Sequence, residues 1–413
     1  MNFPKSVVFV GLTDYSNAPT RVRSYNFARM LAKRGYDARV FSFQEELAPE
    51  ELKNQEMTAM INVSKKFKED LVDRAIPLLE KMGPALFIIQ KVHYHAAAVI
   101  EVCRRHGWPY ALDYDDDDRG RSSLFKDPAV SRRRFGVAAQ ADVLASVARG
   151  AQFCLASSLA LQQILSAWNS HVHLLETAAD TDRFAFVDRA GRDSRRVVWL
   201  GQIWGKRILD CLDVACKALR RVHREGLPFS FHIVGRGMEK ILPRHLSLNY
   251  PGLPFHFDGW AEPDAVPGVL ASMDVGVFPL LPISLDYEWM RAKSPTKLFE
   301  YMASGLPVVA TRLGEAAHLG DDGDALFLAS TELEMAEKMF LLLSNPGLRL
   351  TMGRRARALV EERYSLEATM RKLVPILNAA GIVPGRPDTT PGLAGERLSH
   401  PLPNGRIHGL PIS

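Results

Sequence analysis

The run SPTKLFEYMASGLPVVAT, from Ser294 to Thr311, combines a lone carboxylate, a lysine and a sharply bounded helix. Ser294 is a residue type that caps helices, and Pro295 suits a first helical position. Gly305 reads as the stop, and Pro307 as the opening of a strand. The spacing predicts a helix over Thr296–Ser304, with Lys297, Glu300 and Ser304 on one polar stripe. Leu298, Phe299, Met302 and Ala303 supply its buried side. The free N–H groups of a helix start and the positive end of its dipole attract an anion, and Lys297 adds a cation beside them. A phosphate held there puts an attached ribose within reach of Glu300, whose carboxylate suits two hydroxyls. The same residues also describe a capped surface helix with solvated charges.

Two further groups have chemical potential. Ala111–Arg119 reads ALDYDDDDR, in which four adjacent carboxylates must be solvated, paired or metal-bound. The run follows a strand at its carboxyl end and so faces any cleft there. His93 and His95 have the spacing of a metal pair, but no third ligand stands nearby in the sequence, and an ordinary helix-start position accounts for them better. Of the two, His93 is the candidate for a cleft-facing role. Arg21 and Arg23 follow the loop Thr13–Thr20, where they either meet anions or lie on the surface.

These residues need a frame, and short apolar runs alternating with helical patterns provide one. Strands are expected at Ser6–Leu12, Asp37–Phe43, Ala85–Gln90, Tyr110–Asp115, Phe153–Ser157 and His173–Glu176. A helix is expected over Arg21–Arg34. The polar stretch Asp188–Arg196 reads as a linker. A second set of strands follows, at Arg196–Gly201, Phe229–Gly235, Pro254–Asp258, Asp274–Pro279, Pro307–Thr311 and Ala325–Leu328. Helices are expected near Ile208–Glu225, Ala265–Ser272 and Glu332–Ser344, and one long helical pattern starts at Leu348. The result is an α/β chain of two doubly wound Rossmann-like domains facing a cleft. The expected division is 1–187, 188–362, a C-terminal helix at 363–380 returning to the first domain, and a tail at 381–413. Of the tail's 33 residues, 12 are Pro or Gly, too many for a core of its own.

The totals fit this frame. A chain of 413 residues is comfortable for two domains, and 47% apolar with 24% charged residues is an ordinary globular balance. A formal charge of +5 suits anionic ligands and is compatible with peripheral contact at the inner membrane surface. Four cysteines without a CxxC pair argue against zinc and against a disulfide framework, and so for the cytoplasm. The opening MNFPKSVVFVGL reads as a first strand because it lacks a small-residue cleavage site. No apolar run reaches membrane-spanning length. No GxGxxG follows an early strand, which disfavours a dinucleotide dehydrogenase.

The segment from Ser294 closely resembles the signature of the family 4 retaining glycosyltransferases with the GT-B architecture, in a subgroup with SPxKxFEYMAxGxPVV. The resemblance extends over VVWLG at Val197–Gly201, FHIVGRG at Phe231–Gly237, FHFDGW at Phe255–Trp260, MDVGVFP at Met273–Pro279 and TAADTDRF at Thr177–Phe184. It implies transfer of a sugar from a nucleotide-diphosphate sugar, of UDP or GDP type, to an acceptor hydroxyl with retention and without a required cofactor or metal. It implies donor binding by Ser294, Pro295, Thr296, Lys297, Leu298 and Glu300, together with Lys206, Arg207, Gly235 and Trp260. Asp115, Asp116 and His93 become the candidates for the reacting centre. A saccharide or lipid-linked acceptor is implied, in cell-surface polysaccharide or glycolipid synthesis, and no nucleic acid. Two positions depart from the pattern: Ala292 stands where a second Glu is usual, and Gln202 where an Arg is usual. The alternatives are a GT-B nucleotide-sugar epimerase, a sugar phosphorylase, or a sugar or sugar-nucleotide binder without chemistry.

Overall fold

A computed structural model of the protein describes residues 5–117, 124–189, 191–192, 194–281 and 287–385. The tail expected at 381–413 lies outside them beyond residue 385, as do Asp118 and Arg119 of the acidic run.

The described strands form two six-stranded parallel sheets. The first contains β1 (Ser6–Gly11), β2 (Asp37–Ser42), β3 (Ala85–Gln90), β4 (Tyr110–Tyr114), β5 (Cys154–Ala156) and β6 (Val172–Leu174), in the order β2-β1-β3-β4-β5-β6. The second contains β7 (Arg196–Gln202), β8 (Ser230–Arg236), β9 (Phe255–Gly259), β10 (Val275–Phe278), β11 (Val308–Thr311) and β12 (Phe327–Ala329), in the order β12-β11-β10-β7-β8-β9. The expected two-domain α/β architecture is therefore present. The sequence order reverses between β1 and β3 in one sheet and between β7 and β10 in the other. Parallel sheets open a crevice outside the carboxyl ends of their strands at such points.

Burial on both faces explains the continuous apolar runs. Val8, Val10, Phe87 and Ile89 point into a core covered by helices Lys65–Lys81 and Ala96–His106. The alternate residues Val7, Phe9, Leu86 and Ile88 point into a second core. That core is covered by helix Asn26–Ala32 and by Met370, Leu373 and Leu377 of the C-terminal helix Leu366–Ala379. The last helix thus completes the first sheet's domain from the far end of the chain.

Two helical patterns broke differently than expected. Arg21–Arg34 is not one α-helix: an α-turn at Ala18–Thr20 runs into a π-turn at Arg21–Tyr25 and then an α-helix at Asn26–Ala32. The long pattern from Leu348 is cut at Ser365, whose hydroxyl accepts from Ala368 N at 3.1 Å and caps a new helix. Ser365 also bridges Ala179, the contact that turns the chain back toward the first domain.

Candidate active site between the domains

A cleft of about 460 Å³ lies between the carboxyl ends of the two sheets, a size that suits a small ligand. Its second-domain wall is built on helix Thr296–Ala303. The cap differs from expectation. Pro295 is the N-cap, and the Ser294 hydroxyl instead meets the Thr177 hydroxyl at 2.5 Å. Gly305, at φ +67°, stops the helix with its N–H donating to Met302 O at 2.9 Å. Leu298, Phe299, Tyr301 and Met302 are buried beneath, and the Tyr301 hydroxyl accepts from Leu200 N at 2.7 Å. The helix is thereby fixed to β7. Ser304 leaves the expected polar stripe: its hydroxyl donates back to Glu300 O at 3.1 Å, and its carbonyl accepts from the buried Arg189.

Lys297 and Glu300 do face the cleft. The Lys297 ammonium lies 4.7 Å from the centroid of the Trp199 ring. Gly201 makes room for it, since a Cβ there would stand 2.4 Å from Nζ and 2.5 Å from the Trp199 ring. Burial, reinforced by the neighbouring Lys293, lowers the Lys297 pKa to about 7. Burial raises the Glu300 pKa against the opposing pull of Arg21, Arg183 and Lys297. Among the described residues neither side chain forms an ion pair within 4 Å. Gly235 pairs in register with Gly201, and a Cβ on it would meet Gly201 O at 1.7 Å, so only glycine allows this strand approach.

The first-domain wall comes from the segment after β1 and the ends of β3 and β4. Asp14, Asn17 and Gln44 are buried and bind one another and the backbone of the 52–57 segment. This network carries Glu56 across the cleft to Arg236 at the end of β8, a 2.9 Å ion pair. Arg236 also lies 4.0 Å from the centroid of Trp260. Arg21 is 8% exposed, held by the carbonyls of Tyr15 and Ser16 at 3.2 Å each. Neither arginine of this turn is a surface residue: Arg23 enters the interior and forms a bidentate pair with Asp113 at 2.5 and 3.0 Å.

The acidic run therefore divides by environment. Asp113 belongs to the core, while Asp115 and Asp116 line the cleft, with Lys91 Nζ 3.7 and 3.9 Å from them. Lys91 has a left-handed backbone at φ +63°, a strained conformation of the kind found at functional sites. No group of three or more His, Cys, Asp or Glu side chains converges as a metal site among the described residues.

Of the residues singled out in the sequence, the cleft brings together Asp115, Asp116, Ser294, Thr296, Lys297, Glu300, Gly235 and Trp260. It does not bring His93, Pro295, Leu298, Lys206 or Arg207 to its wall. His93 is 2% exposed, beside the fully buried His95, and burial holds its pKa well below the usual histidine value. Leu298 is core. Lys206 extends into solvent and pairs with Asp210 at 2.6 Å. The Arg207 guanidinium lies 5.0 Å from the Trp289 ring centroid. Ala292 is fully buried, its carbonyl accepting from Ser158 across the domain junction at 3.0 Å. Sequence reasoning missed Lys91, Lys293, Glu56, Trp204 and Trp289, all on the wall, and left Arg21 undecided. Lys91 had one usable signal, its place directly after the last residue of a buried strand.

Residues 194–345 match the family model described as Glycosyl transferases group 1. No curated protein sequence matches the chain. Anabaena HepE, solved in complex with UDP, superposes with a TM-score of 0.64 at 15% identity, over 91% of this chain and 100% of that one. Sucrose-phosphate synthase from Thermosynechococcus elongatus gives 0.65 at 14% identity, over 91% and 100%. A glycosyltransferase from Rickettsia africae gives 0.61 at 14%, over 91% and 98%. The chain has the GT-B fold of these glycosyltransferases.

Proposed function

We propose that the protein is a retaining glycosyltransferase that moves a sugar from a nucleotide-diphosphate sugar to an acceptor hydroxyl. One observation carries this reading: Arg21, Lys293 and Lys297 line one cleft around Glu300, and among the described residues none of them has a carboxylate partner within 4 Å. Burying unpaired cations is costly unless an anion completes them. Residues 188–362 form the donor side in this reading and residues 1–187 the acceptor side, closed by the helix within 363–380. The diphosphate sits at the start of helix Thr296–Ala303, and Glu300 accepts from the ribose hydroxyls.

As the bond from the anomeric carbon to the phosphate oxygen breaks, charge grows on the diphosphate. Lys293, Lys297 and the helix start stabilise it without having to reorganise. The acceptor hydroxyl attacks on the face the phosphate leaves, and the leaving phosphate oxygen takes its proton. Asp115 and Asp116, tethered to Lys91, orient the acceptor from the opposite wall. The nucleotide is of UDP or GDP type, and HepE, which shares the fold, was solved with UDP. The acceptor is a saccharide or lipid-linked sugar, reached in the cytoplasm at the membrane surface.

The test is a thermal-shift panel with UDP, GDP, ADP and CMP, each with magnesium and with EDTA. A bound ligand raises native stability by mass action. The expected result is a shift with one diphosphate that survives EDTA and is lost in Glu300→Ala. No shift with any nucleotide would overturn the donor site. The anomeric configuration of the product, read by NMR, tests retention, and turnover of the sugar nucleotide without acceptor would indicate an epimerase.

A further inference from the structure

Arg21 differs from the buried Arg23 and Arg189 in leaving guanidinium donors without a protein acceptor. Arg23, two residues on, uses Nε and Nη2 on Asp113 and Nη1 on Leu175 O. Arg189 spreads its three nitrogens over main-chain carbonyls. Arg21 uses only Nη1, on Tyr15 O and Ser16 O. Among the described residues its Nε and Nη2 have no protein acceptor, and no carboxylate lies within 4 Å of the guanidinium. Yet the residue is 8% exposed, and it lines the cleft together with Glu300, Lys293 and Lys297. Neither free donor is an enclosed atom, so both open to the cleft, and two guanidinium donors side by side suit a bidentate oxyanion.

We propose that Arg21 supplies, from the acceptor-side domain, the counter-charge for the terminal phosphate of the donor's diphosphate. The diphosphate then joins the two walls, with Lys293 and Lys297 on one side and Arg21 on the other. In this arrangement the nucleotide's second phosphate holds the two walls together. The inference rests on the donor site proposed above and adds to it a residue from the other domain. The same chemistry would recognise a phosphate carried by the acceptor, and the experiment separates the two sources by leaving acceptor out.

The affinities of UDP and UMP, and of GDP and GMP, are measured by calorimetry on the full chain without acceptor. The expected result is that Arg21→Gln weakens the preferred diphosphate roughly tenfold or more and changes its monophosphate less than twofold. Arg21→Lys keeps the charge but loses the bidentate fork, and is expected to retain part of the diphosphate preference, more than Arg21→Gln retains. If Arg21→Gln lowers both forms equally, or neither, the proposal is overturned, because Arg21 then only shapes its loop or binds an acceptor anion. An equal loss of preference in Arg21→Lys and Arg21→Gln, with weakened monophosphate in both, overturns it as well. A wild type that binds no nucleotide overturns the donor site itself, which is a different failure.

Discussion

Lys297 and Glu300 are one turn apart on one helix face, and burial pushes each toward its neutral form. For Lys297 the folded pKa, about 7, lies below the ordinary lysine value of ~10.5. The unfolded chain therefore holds more protons between those two pH values, and the lysine's contribution to stability rises with pH across that window. Lys297→Met is expected to raise the ligand-free melting temperature, more at pH 6 than at pH 9, while weakening nucleotide binding. Scanning calorimetry at both pH values reads the first effect. A bound diphosphate restores the proton, so affinity should fall as pH rises above about 7 and flatten in Lys297→Met. Glu300→Ala removes the acceptor of the two ribose hydroxyls, with an expected loss of about 10- to 100-fold in nucleotide affinity by titration. The sequence showed both side chains because helix periodicity is local. It did not show where the Arg207 guanidinium goes, because a residue in the first turn of a helix can face either way, and here it lies over the ring of Trp289, a residue of the cleft wall.

At the scale of elements, two glycines on neighbouring strands have opposite consequences. A Cβ on Gly235 would meet main-chain Gly201 O at 1.7 Å, and backbone cannot move aside. Gly235→Ala is expected to destabilise the second domain by several kcal/mol, read as a large drop in melting temperature. A Cβ on Gly201 meets the flexible end of Lys297 and the Trp199 ring. Gly201→Ala should cost less stability but displace Lys297, separating binding from folding in the same assay. These glycines stand in strands that were legible from their apolar runs, since two-sided burial leaves a continuous signature. The π-turn at Arg21–Tyr25 was not legible. It depends on Asp113, ninety residues away, which draws Arg23 inward and leaves Arg21 toward the cleft.

For the whole molecule, the chain returns on itself. Met370, Leu373 and Leu377 complete the core against β1 and β3, although they follow the second domain in sequence. Truncation after Ser365 is expected to unfold the first domain while the second keeps its own core, seen as a lost transition in calorimetry and as selective proteolysis of the N-terminal half. The Arg23–Asp113 pair is fully buried, so Asp113→Asn should leave an uncompensated charge and cost about 3–5 kcal/mol in denaturant unfolding.

What the sequence by itself determined is everything written in local patterns: two alternating α/β sets, the bounded helix at Thr296–Ala303 and the placement of Glu300 upon it. Strand burial and helix periodicity are short-range properties, and they survive without knowledge of distant partners. Only the tertiary structure decided which charges face the cleft. Asp113 and Asp115 are two residues apart, yet one is neutralised by Arg23 in the core and the other is tethered by Lys91 at the cleft wall. Arg21 faces Glu300 from another domain. Charge pairing is settled by groups brought together from far along the chain, and no local spacing records it.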